Sequence, residues 1–276
     1  MSYSTTVQAF QQTETALLRF IEAAKRKKST DVLAKPIKLL DARISDLFVR
    51  QGNDLVRSLT PIKSLLKEDA ISKQFDNIFD DATNATSLDM LDALEKAYKT
   101  TLLLGAKSQL AEIGIKISFT LDNPRAAHYI AEYGADQIAG IDETTKEDMR
   151  NLLRAGILNG DSYTTIAANI KARYKYYGTG VPQKHIRSRA ELIAITEAGN
   201  GYQTGNYVSM QATQDAGLKM QKRWLTVGDL RVSDGCEKNQ GQSWIGLNKE
   251  HISGHLHPLR FPGCRCVELY QRAKGN

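Results

Sequence analysis

Six of the chain's eight cysteines and histidines fall within thirty-one residues: Cys236, His251, His255, His257, Cys264 and Cys266. Only His128 and His185 lie elsewhere. Thiolate sulfur and imidazole nitrogen are the preferred donors to tetrahedral zinc. Cys236, His257, Cys264 and Cys266 therefore make a candidate metal-ligand set, with zinc the expected ion. The spacing departs from the Cys-x2-Cys of zinc knuckles, because Arg265 alone separates Cys264 from Cys266. Residues two apart on a strand point the same way, so both sulfurs can still face one site. The same residues also fit reduced buried thiols, a disulfide from Cys236 to Cys264 or Cys266, or histidines that simply face solvent. Three cysteines, an odd count confined to the last quarter of the chain, do not fit a secreted disulfide framework.

Catalysis by this cluster would take one of two forms. A Cys–His pair can act as nucleophile and base. A zinc ion with an open position can activate water, and Glu237 or Glu250 is close enough in sequence to serve as base. Against both, the chain holds no HExxH, phosphate-loop or GxSxG motif. No enzyme is expected, and a metal-dependent hydrolase or nuclease is the lesser alternative. Glu197 is a further carboxylate in an apolar stretch, and the expected role is an ion pair with Arg189 or Arg223 that locks its helix in place.

The elements that must position these residues are mostly helical. Phe10, Ala16, Leu17, Phe20, Ile21 and Ala24 recur at helical spacing, and Lys25 to Lys28 is the expected end of that helix. Ile37, Leu40, Ile44, Leu47 and Phe48 form a second stripe. Ile71, Phe75, Ile78 and Phe79 form a third, and Leu88 to Leu103 a fourth. Thr60-Pro61 and Asp80 to Thr83 are expected breaks. Ile115 to Leu121 alternates strictly and predicts a short strand or an extended segment. A helix is expected over 124–133, with a looser stretch from Gly134 to Gly140. Helices are expected over 142–158 and from Asp161 or Ser162 onward, followed by a Gly- and Tyr-rich loop over 174–182. A long helix is expected over about 183–216, with Ala190, Ala194, Ala198, Gly199, Gly201 and Gly205 giving it an unusually small-sided middle. The pair at 142–174 has the outline of a helix-turn-helix. Its cations Lys171 and Arg173 sit at the wrong end of the second helix for base readout, so a hairpin packed on its neighbours is expected. Beyond Gly217, strand-like pieces at 223–227 and 266–270 flank a loop-rich stretch.

The expected fold class is α+β, predominantly helical, with long N-terminal and central helices and a small β-rich C-terminal unit. Three regions follow: a helical region over 1–122, a central helical region over 123–216, and the Cys/His-containing unit over 217–276. No apolar run is long enough for a membrane span, and the first twenty residues lack the form of a secretory signal. The net charge is +6, and from Gly160 onward sixteen Lys/Arg face nine Asp/Glu. That excess permits nonspecific contact with nucleic acid, and a zinc-stabilised nucleic-acid-binding module is the runner-up function.

Four pieces in order carry a family resemblance: NGDSYTTIAANI, RAELIAITEAGNGY, KRWLTVGDLRVSDGCEKNQGQ and HPLRFPGCRC. Within them Arg189, Ala190, Thr196, Glu197, Trp224, Asp229, Arg231, Gly241, Pro262, Cys264, Arg265 and Cys266 match. Residues 141–270 thereby resemble the Mu F-like family of phage minor head, or head-morphogenesis, proteins. The position of Cys236 is often His in that pattern. Family members are often longer, and no additional toxin-like domain is expected here. The resemblance implies a structural component of the virion head, assembled in the host cytoplasm. It implies association with the portal or major capsid protein and multiple copies per virion, where the basic C-terminal half can sit near packaged double-stranded DNA by nonspecific contacts.

Overall fold

The computed structural model describes residues 3–65, 68–180, 186 and 188–273, with residues 3–21, 26, 63–65 and 68–73 described by backbone only. It is predominantly helical with a small antiparallel sheet near the C-terminus, as the composition and periodicity predict. Two long helices, α1 (Tyr3–Leu59) and α2 (Glu68–Glu112), are joined by a 3-10 turn at Thr60–Leu65. They run antiparallel, because Lys25 meets Glu112 while Arg50 meets Asp89. The break at Thr60-Pro61 is where the sequence places it.

Two other expected breaks are absent. Lys25 does not end a helix: α1 continues past it, and its ammonium is buried, donating to Gln109 Oε1 and Glu112 Oε2 at 2.7 Å each. Asp80 to Thr83 lies inside α2, where Thr83 donates to the Phe79 carbonyl and Thr86 to that of Thr83. The hydroxyls that favour caps are satisfied within the helix, and Phe75, Phe79, Met90 and Leu94 carry one buried stripe through the region. The stripe from Phe10 to Ile21 and the contribution of Ile71 lie outside the described side chains.

Of the two forms expected for Ile115 to Leu121, the structure has the extended segment and not the strand. No neighbouring strand offers it hydrogen bonds, and only Phe119 along it is buried. It is an extended link, entered where Ile115 N–H bonds back to the Leu110 carbonyl over Gly114. Asn123 then caps α3 (Pro124–His128). A π-helical turn at Tyr129–Tyr133 leads without a break into α4 (Gly134–Leu158), so the stretch expected to be loose is helical. Gly160 turns the chain, and Ser162 caps α5 (Tyr163–Thr179) through its bond to the Thr165 N–H. Residues 174–179 of the expected Gly/Tyr loop are instead the end of α5, held because Tyr174 and Tyr177 are buried against α1 and the following helix, while 181–182 lie outside the described residues. The α4–α5 pair is a packed hairpin, and Arg173 pairs with Asp148 across it.

The central element is α6 (Arg189–Asp215), capped by Ser188. An earlier start at Gln183 falls outside the described residues. Its small residues let α2 approach so closely that a β-carbon on Gly205 would strike the Leu102 carbonyl. A β-carbon on Gly105 would strike the Tyr202 carbonyl in the same way. After α6 come β1 (Met220–Leu225), a short helix α7 (Asp234–Gly241), β2 (Ile245–Gly246) and β3 (Val267–Arg272). The sheet order is β2-β1-β3, with Trp224 opposite Glu268 and Lys222 opposite Tyr270. One continuous core joins α1, α2, α4, α5 and α6 and extends to Met220, Leu247 and Tyr270 in the sheet region. Among the described residues no helix is long and apolar enough to cross a membrane.

Candidate metal centre

A second, much smaller cluster lies beyond the main core. Its buried members are Trp224, Cys236, Cys264 and Cys266, with Val232 and Leu259 packed against them. Each cysteine arrives on a different piece of chain. Ser233 caps α7 and places Cys236 in the helix's first turn. The tight turn at 261–264 carries Cys264, whose N–H bonds to the Phe261 carbonyl. Cys266 immediately precedes β3. The turn is fixed to the central helix by one hydroxyl, since Thr196 Oγ1 accepts the Gly263 N–H at 3.0 Å while donating to the Leu192 carbonyl. A β-carbon on Gly199 would meet Leu259 at 2.9 Å, so the small side of α6 also makes room for this loop.

The three sulfurs lie within 4.8 Å of one another, and those of Cys236 and Cys264 are 4.0 Å apart. A disulfide requires about 2.05 Å, and all three cysteines are free. The hydrogen bond between Cys264 and Cys266 favours charge on one sulfur only: it pushes the Cys264 thiol down to about 6 and that of Cys266 upward. Backbone N–H groups of Arg260 and Cys266 add to the effect at Cys264. The Trp224 indole N–H is buried with no hydrogen bond of ordinary geometry, and the Cys266 sulfur is the acceptor beside it. A cavity of about 290 Å³ opens onto the cluster, lined by all three cysteines together with Ile186, Val232, Phe261, Arg231 and Arg265.

The histidines are engaged elsewhere. His257 is not part of the sulfur group. Its Nδ1 faces the Pro258 carbonyl, its ring packs 5.3 Å from that of Tyr207, and burial lowers its pKa to about 4. His251 Nε2 lies 2.6 Å from Glu268 Oε1, with both side chains fully buried, and its Nδ1 faces Gln242. His255 bonds within its own loop, to Ser253. Glu237 and Glu250 are exposed and do not line the cavity. Among its described lining residues there is no carboxylate or imidazole to act as a general base.

Glu197 does not pair with an arginine. Its Oε2 accepts from the Tyr98 hydroxyl at 2.7 Å, Tyr133 and Asn200 also face it, and burial raises its carboxyl to about 7. Arg189 instead lies over the rings of Phe48 and Tyr177 and donates to the Ile141 carbonyl, while Arg223 meets Glu22. A cage of tyrosines accepts the carboxyl where the sequence suggests an ion pair. The helix α7 and the role of Trp224 also escape a reading of the cysteine spacing alone. Ser233, three residues before Cys236, is the cap signal that marks α7.

A small thiol-centred sheet unit docked on a small-sided helix within a long-helix scaffold is the class this architecture defines. Residues 147–269, somewhat under half of the chain, match the family described as phage Mu protein F like protein. That segment runs from α4 to β3 and includes α6, the sheet and all three cysteines. Over that segment the chain is similar to phage Mu protein F. Nothing matches in the comparisons with curated proteins or with solved structures.

Proposed function

We propose that this chain is a minor head, or head-morphogenesis, protein. It acts as a structural component rather than an enzyme, joining the portal or major capsid protein during head assembly and remaining in the virion head. The observation that carries this reading is the family match over 147–269. The excess of sixteen Lys/Arg over nine Asp/Glu from Gly160 onward suits nonspecific contact with packaged double-stranded DNA, by release of phosphate counterions.

The test is fractionation of a lysate from infected cells, with the chain followed by a tag. Co-sedimentation with proheads and heads, and cross-linking there to portal or capsid protein, is the expected result. Recovery only in the free fraction, absent from every head species, would refute the reading.

A further inference from the structure

The geometry points to a zinc centre held by Cys236, Cys264 and Cys266 alone, with its fourth coordination position open to the adjoining cavity. The ligand set suggested by the sequence included His257, and the fold puts that ring against Tyr207 instead. This inference stands apart from the role in head assembly.

Four observations carry it. Zinc–sulfur bonds of about 2.3 Å in a tetrahedron place sulfurs about 3.8 Å apart. The Cys236–Cys264 separation of 4.0 Å is close to that, and no sulfur in the trio needs to close by more than about 1 Å from the 4.8 Å limit. Second, three of the four buried members of this cluster are cysteines. So little apolar material cannot hold α7, the 261–264 turn and the start of β3 together by burial alone, whereas a shared ion can. Third, the buried Trp224 indole N–H lacks an ordinary acceptor and sits beside the Cys266 sulfur. A metal-bound thiolate accepts such a bond far better than a thiol does. Fourth, a dication on three thiolates keeps one net negative charge, and an arginine packs against the residue next to Cys236. The Arg260 guanidinium lies against Gly235, where a β-carbon would meet its Cζ at 2.7 Å, and its buried Nε has no hydrogen-bond partner.

All three cysteines line one cavity, and among the described residues no further cysteine, histidine or carboxylate lines it with them. Sites with three protein ligands and an open position bind water or an exogenous donor at the fourth place. Arg231 and Arg265 flank that position, although both also bond to Asp229.

The experiment uses the full chain, purified without chelator under reducing conditions. Metal analysis should find a single zinc ion per chain. Cys236→Ser, Cys264→Ser and Cys266→Ser should each abolish stoichiometric zinc, while His257→Ala should retain it. Cobalt exchanged for zinc should give thiolate-to-metal charge transfer, and added imidazole should shift its visible bands equally in the parent and in His257→Ala. Where a serine variant fails to fold, the cobalt spectrum of the parent decides. Three thiols with no uptake of zinc or cobalt would overturn the site, as would a Cys236–Cys264 disulfide in the purified chain. Loss of zinc in His257→Ala, or cobalt bands that ignore imidazole, would overturn the open position.

Discussion

Placing alanine at Gly205 and at Gly140 should change stability in opposite directions. Both residues are inside helices, where alanine in place of glycine ordinarily gains about 1 kcal/mol. At Gly140 a β-carbon would meet nothing within 4 Å, so that gain should be realised. At Gly205 it would strike the Leu102 carbonyl, and the next atoms, the Leu102 carbonyl carbon and Cα, are at 2.8 and 2.9 Å. All three belong to the backbone of α2, so no side chain can rotate away and the two helices must separate. Overpacking costs roughly 1–3 kcal/mol where side chains can yield, and a rigid partner puts this case at the upper end. For a chain of this size each kcal/mol moves the melting temperature by about 2 °C. Thermal unfolding followed by circular dichroism should place Gly205→Ala, after the helix gain is subtracted, about 4 °C below the parent and Gly140→Ala about 2 °C above it. A Gly205→Ala protein as stable as the parent would mean that α2 and α6 do not cross this closely, and the account of the small-sided helix would fail with it.

Glu197 makes stability depend on pH. Its buried carboxyl titrates at about 7, against 4.5 for a free side chain, so the folded state holds a proton that the unfolded state releases. The stabilisation is therefore complete below pH 4.5, declines as pH rises, and is lost above 7, with a span on the order of 3 kcal/mol. Glu197→Gln mimics the protonated acid, so urea unfolding across that range should show a flatter profile than the parent; equal slopes would refute the assignment. His251→Ala leaves the fully buried Glu268 carboxyl without its partner and should cost about 3–5 kcal/mol. Chemical denaturation checks this, and a loss under about 1 kcal/mol would show that the pair does not anchor the loop to the sheet.

Helix stripes, the Thr60-Pro61 break, the Ser162 cap and the small-sided character of α6 are legible because they depend on neighbours within a few residues. The misplaced breaks have one physical cause. Lys25 and Thr83 favour helix ends only while their polar groups lack other partners, and here Gln109, Glu112 and the Phe79 carbonyl supply them. Ile115 to Leu121 has strand alternation, but a strand needs an edge to pair with, and local sequence does not reveal whether one exists. At the candidate site the cysteines converge as their clustering suggests. His257 departs because its ring is buried against Tyr207, fifty residues earlier in the chain and on α6, a contact invisible to ligand spacing. Glu197 finds tyrosines from α2 and the π-helical turn for the same reason.

The sheet order β2-β1-β3 has a consequence for synthesis on the ribosome. The middle strand is translated first, and its longer partner emerges only after Leu225 has been followed by the chain up to Val267. At about 5–20 residues per second, that edge stays open for roughly 2–8 s. Such an edge invites pairing with another nascent copy on the same message. Lys222 and Arg223, at its centre, are the charged residues that discourage such pairing. Cys236 spends the same interval without the two thiols that complete its cluster. The emergence of residues 264–272 therefore closes both the sheet and the sulfur site in one step.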